Sequence, residues 1–228
     1  MINGCQEAII LCGGLGTRLR SVISDVPKPM APIKNKPFLA FVLEYLKKQN
    51  ISRVVLAVSY KYEIIQEYFG NSYLGMQILY SIEKEPLGTG GAILEALNLI
   101  NSDSCYVLNG DTFFDVNLDR LKLDNSDICV ALKPMKNFDR YGSVDIDNNS
   151  YISAFNEKKF TSNGLINGGV YLIKKNIFNS FNLPNKFSFE EFFQENFLIF
   201  NAKATVFDDY FIDIGIPQDY KAFIDKNF

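Results

Sequence analysis

A short apolar run, Ala8-Ile9-Ile10-Leu11-Cys12, breaks directly into Gly13-Gly14-Leu15-Gly16-Thr17-Arg18-Leu19 and then reaches Pro27-Lys28-Pro29. The run reads as a buried strand. The glycines that follow let backbone N–H groups curl around an anion with no Cβ in the way. Arg18 and Lys28 set positive charge beside that concavity. A polyphosphate loop at the end of a strand points to an α/β fold that handles nucleotides. Two other glycine-loop readings fail. The dinucleotide fingerprint lacks its third glycine, because Gly14-Leu15-Gly16-Thr17-Arg18 ends on Leu19. A Walker loop would close on Gly-Lys-Ser/Thr, which is missing. A tight strand-to-loop turn without a ligand is the plain reading that remains.

Outward from this loop, strand and helix signals alternate. Strands are expected over residues 7–12, 53–58, 76–82 and 105–108, and helices over 37–49, 61–69 and 88–100. Residues 128–133 continue the sheet. This alternation predicts βαβ units, a mostly parallel sheet and ligands at the carboxyl ends of strands. Residues 141–146 and 151–156 then read as a hairpin around Asp147-Asn148-Asn149, and Gly168 opens a further strand to Ile173. Ser188 and Glu191 form a capping-box pattern. The helix they start gathers Phe189, Phe192, Phe193 and Phe197 on one face, which reads as packed core. Residues 203–207 form a late strand, and Pro217 starts a terminal helix. The expectation is one domain over residues 1–228. Roughly residues 1–125 form a nucleotide-binding half, and residues 126–228 a sugar-phosphate-binding half with a small antiparallel insertion.

Composition narrows the function. Hydrophobic residues make up 47% of 228, which is a folded globular chain, and the net charge of -3 argues against nucleic acid as a partner. No signal-peptide pattern or membrane-length apolar stretch is visible. Cys12, Cys105 and Cys129 lie in apolar runs as reduced core thiols, which suits the cytoplasm; Cys5 is undecided. The chain has no histidine, which removes Ser-His-Asp triads and His-ligated zinc together.

The carboxylates carry the second half of the site. Asp111, in Asn109-Gly110-Asp111, is presented at the mouth of the sheet, although capping a turn is a common role for such an Asp. Asp213 is flanked by Ile212 and Ile214, where an acid is costly to bury unless paired or bound to metal. Two such groups suit Mg²⁺, which takes one or two carboxylates plus phosphate oxygens and water. Asp115, Asp119, Asp208 and Asp209 read as solvated or capping. Glu83-Lys84-Glu85-Pro86-Leu87-Gly88-Thr89-Gly90-Gly91 is a loop-to-helix junction able to read a base. Glu157-Lys158 sets a hydroxyl acceptor beside a phosphate cation, and Asn167-Gly168-Gly169 sets an amide beside bare backbone at the start of a strand. Taken singly, each is nearly as well read as a turn.

Taken in this order, the motifs resemble the sugar nucleotidyltransferases, also called nucleoside-diphosphate-sugar pyrophosphorylases, and the likeness runs nearly end to end. Through Pro29 and Met30 the opening is most similar to the D-glycero-D-manno-heptose 1-phosphate guanylyltransferases, with the mannose 1-phosphate enzymes second. The resemblance implies a Rossmann-like, mostly parallel mixed sheet flanked by helices. It implies a reaction in which an NTP (here GTP) and a sugar 1-phosphate give an NDP-sugar and pyrophosphate, feeding surface polysaccharide synthesis. It also implies Mg²⁺ on Asp111 and Asp213, with Arg18 and Lys28 at the reacting phosphates. Leu11, Gly13, Gly14, Gly16, Thr17, Glu83, Pro86, Gly88, Thr89 and Gly110 would surround the nucleotide. Gly142, Glu157, Lys158, Asn167 and Gly168 would surround the sugar phosphate.

In the family's usual Asp-Ile/Val-Gly-Thr-Pro, Ile216 replaces the threonine. The chain ends without the β-helix domain of many relatives, so no second activity is expected. The phenylalanine-rich C-terminal third offers a surface for a homo-oligomer. A non-catalytic nucleotide-sugar sensor of the same fold is the reading from a different class, and retention of both aspartates argues against it.

Overall fold

The computed structural model describes residues 5–14 and 26–226. Ala8, Ile9 and Ile10 are fully buried in strand β1, Glu7–Leu11. Ala8 and Ile10 face one core and Ile9 the other, as the two-residue period of a strand covered on both faces requires.

The chain continues through β2 (Pro32–Ile33), β3 (Lys36–Pro37), α1 (Phe38–Lys48), β4 (Arg53–Val58) and α2 (Tyr62–Phe69). Next come β5 (Ser72–Tyr73), β6 (Met76–Ile82), α3 (Gly88–Ala96), β7 (Ser104–Asn109) and β8 (Thr112–Phe114). The second half holds β9 (Ile128–Phe138), β10 (Val144–Ile146), β11 (Ile152–Phe155), β12 (Thr161–Lys174), α4 (Phe189–Asn196), β13 (Lys203–Val206), β14 (Phe211–Asp213) and α5 (Pro217–Asp225).

One sheet of eight strands runs β13-β9-β12-β7-β1-β4-β6-β5 and takes strands from both halves of the chain. β1 is parallel to β4 and to β7, and β4 is parallel to β6. β12 is antiparallel to both β7 and β9, which makes the sheet mixed. From β1 the chain winds outward in both directions. The crevice at the carboxyl ends of β1 and β7 is therefore the topological switch point, where open α/β sheets hold ligands. Helices α1, α2 and α5 cover one face, and α3 and α4 the other. The expected antiparallel insertion is the β10–β11 pair. Among the described residues no helix is long and apolar enough to cross a membrane.

Three expectations need adjusting. β12 begins at Thr161, so Asn167-Gly168-Gly169 sits mid-strand and not at its start. Pairing with β9 slips between Asn167 and Tyr171, and Gly169 takes φ +69° there; this is a bulge, which re-aims neighbouring side chains. The helix over 88–100 stops at Ala96 and tightens into a 3-10 turn, Leu97–Leu99. Ser188 caps α4 by accepting the Glu191 N–H at 3.2 Å, but the carboxylate that turns back is Glu190's, whose Oε2 accepts from the Ser188 hydroxyl at 3.2 Å. Phe189, Phe192 and Phe193 are core, as read from sequence. Leu198 and Ile199, just beyond α4, stay exposed. All four cysteines are free thiols, and Cys12, Cys105 and Cys129 are buried.

Candidate active site

Asp111 and Asp213 lie far apart in sequence, and a minimal sheet joins them. β8 pairs antiparallel with β14, with Asp213 opposite Thr112. The Ile214 N–H donates to the Asp111 carbonyl at 3.0 Å. Lys28, on a short 3-10 turn fixed by Pro27 and Pro29, reaches both acids. Its Nζ is 2.5 Å from Asp111 Oδ2 and 3.7 Å from Asp213 Oδ1, and its side chain is only 10% exposed. Burial and then the Asp111 charge push the Asp213 carboxyl above the usual range, against the pull of Lys28, the Gly215 N–H and Arg140. Arg140 stands behind Asp213 at 4.0 Å and donates to Asp219 at 2.8 Å.

Two cavities meet at this pair. The first, about 540 Å³, is lined by Leu11, Gly13, Gly14, Lys28, Glu83, Pro86, Gly88 and Thr89 among others. The second, about 840 Å³, takes Gly142, Glu157, Lys158, Asn167 and Gly168 on its walls, with Asp213. Asn109, Asp111 and Glu190 line both. Sequence reasoning thus named most of the lining. Gly110 lies beneath the cleft, its N–H donating to the Leu11 carbonyl at 3.0 Å. Gly16, Thr17 and Arg18 lie outside the described residues.

Local detail changes the reason for several residues. Among the described residues nothing stands within 4 Å of a Cβ built on Gly14, as a cradle for a ligand requires. Gly13 is bare for another reason: a Cβ there would stand 2.6 Å from Glu83 Oε1. Glu83 Oε2 accepts the Leu87 N–H at 2.9 Å. Burial raises its pKa, the Leu87 hydrogen bond opposes the shift, and Glu95 adds to it. At Gly88, φ is +71° and a Cβ would meet the Phe187 carbonyl at 2.4 Å. That glycine therefore serves the join between α3 and the chain entering α4. Thr89 turns its hydroxyl to Glu190 Oε2 at 2.6 Å. Asn167 is committed within the bulge, accepting the Gly169 N–H at 2.9 Å and donating to the Tyr171 hydroxyl at 2.7 Å. Glu157 and Lys158 are exposed at the rim.

Sequence reasoning missed Glu190, Gln194, Arg140 and Tyr141. Tyr141 adjoins the bare Gly142, and Glu190 and Gln194 are the polar members of a phenylalanine-rich helix. Those two patterns were the available signals.

Among the described residues no cluster of three or more His, Cys, Asp or Glu side chains forms a metal site. The donor set at the cleft is a pair of carboxylates with a cation already between them. That fits an ion whose remaining ligands are phosphate and water.

The Nucleotidyl transferase family matches residues 7–226. The chain belongs to that family. It is 62% identical over 222 residues to D-glycero-alpha-D-manno-heptose 1-phosphate guanylyltransferase of Campylobacter jejuni, covering 97% of this chain and 100% of the relative. The protein of the same name from Aneurinibacillus thermoaerophilus is 53% identical over 221 residues, covering 95% and 96%. Among solved structures, HddC from Yersinia pseudotuberculosis superposes with a TM-score of 0.83 at 38% identity, covering 96% of this chain and 98% of that one. A second structure of that protein is complexed with GMP-PN. The chain is thus a nucleotidyl transferase, as its motifs lead us to expect.

Proposed function

We propose that the chain joins GTP to D-glycero-α-D-manno-heptose 1-phosphate, giving GDP-heptose and pyrophosphate. The observation that carries this reading is the pair of cavities meeting at Asp111, with Asp213 and Lys28 at the seam. The near full-length identity to two heptose 1-phosphate guanylyltransferases selects the base and the sugar.

A sugar 1-phosphate is anionic at neutral pH, so its oxygen needs no general base. This accounts for an active site without histidine. The difficulty is bringing two anions together, and catalysis then rests on positioning and charge neutralisation. A phosphate oxygen of the sugar 1-phosphate attacks the α-phosphorus in line. The bond from the α-phosphorus to the bridging oxygen breaks, and pyrophosphate leaves with the electron pair. Lys28, leaving the aspartate pair, neutralises charge at the α-phosphate, and Arg18 is assigned to the leaving pyrophosphate. Lys158, at the rim of the second cavity, holds the sugar phosphate. Glu157 and the remaining donor of Asn167 meet sugar hydroxyls. Gly14 and the neighbouring backbone cradle the triphosphate.

Asp111 and Asp213 would hold Mg²⁺. When bound, that ion would supply Lewis-acid polarisation and screening at the triphosphate. Glu83 is assigned to the base. Guanine presents two donors side by side, N1–H and the N2 amine, and a carboxylate accepts both; adenine, cytosine and uracil do not present that pair. The activated heptose is a donor for glycosyl transfer, which suits surface polysaccharide synthesis in the cytoplasm. The test is a pyrophosphate-release screen of ATP, GTP, CTP and UTP against mannose, glucose and heptose 1-phosphates. Release confined to GTP with heptose 1-phosphate is the expected result. Turnover favouring mannose 1-phosphate would reassign the sugar, and no release on any pair would leave a binding protein.

A further inference from the structure

Helix α4 turns its two faces in opposite directions. Phe189, Phe192 and Phe193 are buried against the sheet. Glu190 and Gln194, one turn apart, line the second cavity, and Glu190 lines the nucleotide cavity as well. A helix that spends its phenylalanines on the core and two polar side chains on a cavity wall is presenting those two groups to whatever fills it.

Glu190 is held in one orientation from two elements. Its Oε2 accepts from the Thr89 hydroxyl on α3 at 2.6 Å and from the Ser188 hydroxyl at 3.2 Å. The Phe189 N–H in turn donates to Thr89 Oγ1 at 2.8 Å. Among the described residues Glu190 Oε1 accepts no hydrogen bond and its carboxylate forms no ion pair. An anion so placed would repel a phosphate. The cations of the cleft, Lys28 and Lys158, stand elsewhere on the walls and draw the phosphates to themselves. What an oriented carboxylate takes in such a place is a hydroxyl, and such charge-assisted hydrogen bonds are the strong ones.

We infer that Glu190, with Gln194 beside it, is a specificity residue that reads a vicinal diol of a bound substrate. The inference rests on the two-substrate reaction proposed above. The acceptor sugar is the favoured source, because Gln194 continues the polar edge into the acceptor cavity alone. The ribose 2′,3′-diol is the other source of the same chemistry.

The test is steady-state kinetics of Glu190→Gln, whose amide oxygen still accepts from Thr89, with Gln194→Ala as a second, exposed variant. KM for heptose 1-phosphate should rise about tenfold to a hundredfold in Glu190→Gln, with kcat nearly unchanged, the pattern of lost ground-state binding. Gln194→Ala should raise the same KM less. The effect of Glu190→Gln should vanish on a deoxy-sugar 1-phosphate that lacks the hydroxyl read. If it vanishes instead on 2′-deoxy- or 3′-deoxy-GTP, the diol is the ribose's. The inference is overturned if both KM values stay within about twofold of wild type. It is also overturned if the loss persists on every deoxy analogue and Thr89→Val reproduces it, as a purely structural tie between α3 and α4 would. A wild-type protein that releases no pyrophosphate fails the proposed reaction instead, and is told apart by that.

Discussion

Lys28 Nζ lies 2.5 Å from Asp111 Oδ2 and 3.7 Å from Asp213 Oδ1, in the position between two acids where a divalent cation would compete with it. On the proposed mechanism the lysine has two duties that exclude each other: it bridges the carboxylates in the free protein, and it would have to leave them for the phosphates. Lys28→Met should tighten Mn²⁺ binding to the nucleotide-free protein, because it removes the cation between the two carboxylates and leaves Asp213 only the more distant Arg140 at 4.0 Å. The same variant should lose turnover by about a thousandfold. Asp111→Ala and Asp213→Ala should lose both turnover and Mn²⁺ binding while keeping a cooperative unfolding transition. Titration calorimetry with Mn²⁺ alone decides it; equal or weaker binding by Lys28→Met would remove the competition from the account.

Glu83 supplies a pH signature. Its raised pKa means that protons reach it before they reach an ordinary glutamate. Protonation turns an acceptor for guanine into a donor. KM for GTP should accordingly climb as pH falls through a value above the usual carboxylate range, and Glu83→Gln should flatten that climb while raising KM for GTP at neutral pH. The sign for stability is opposite. A carboxyl whose folded pKa is raised opposes folding once ionised, so Glu83→Gln should melt higher than wild type. A pH-independent KM for GTP in the wild-type protein would count against the base assignment.

Lys158 stands exposed at the rim of the acceptor cavity. Lys158→Ala should raise KM for the sugar 1-phosphate about tenfold and leave KM for GTP unmoved. An effect on both substrates alike would move this lysine out of the acceptor half.

How much of this was legible follows from the residues themselves. β1, β4 and β7 announce themselves because buried parallel strands are short apolar runs, β6 because buried and exposed side chains alternate along it, and the ends of β1 and β7 carry glycines and Asp111. The first half of β12 did not. Thr161 to Asn167 is largely polar and only partly buried, and it is a strand because β9 pairs with it, not because of its own composition. The meeting of Asp111 with Asp213 was inferable only as two acids in odd surroundings. The device that joins them, the three-residue pair β8–β14, is too short to leave a period. Glu190 was hidden because a helix rich in phenylalanine directs attention to its core face. Gly13 reads as part of an anion cradle, whereas the side chain that fills the space beside it comes from Glu83, seventy residues on.

Gly88 tests the join between the two halves of the nucleotide cavity. Its φ of +71° disfavours any side chain, and the Phe187 carbonyl 2.4 Å from the Cβ position leaves no room for one. Gly88→Ala should cost about 2–3 kcal/mol and lower Tm by about 5–10 °C. Calorimetric scanning reads this directly. A Tm equal to wild type would mean that the 185–187 segment shifts aside freely.

Glu7 makes the clearest stability prediction, because it lies at the far end of β1 from the cleft and no chemistry confuses the result. It is 5% exposed in the first strand. Burial alone would raise its pKa, but the Ser102 hydroxyl at 2.6 Å, the Ser102 N–H at 2.5 Å, the Asn101 N–H at 3.0 Å and Arg53 at 3.1 Å outweigh it and hold the carboxyl below its ordinary value. A folded pKa below the unfolded one means stability that is present at neutral pH and is lost as pH falls through the folded value. Glu7→Gln should therefore be less stable than wild type by about 2 kcal/mol at pH 7. The gap should narrow as pH falls through the lowered folded value, where the wild-type carboxylate takes up its proton. Urea unfolding of both proteins at pH 7 and at pH 3.5 measures the two differences. A gap of the same size at both pH values would show that the ionised carboxylate contributes nothing to holding the 101–102 turn against β1.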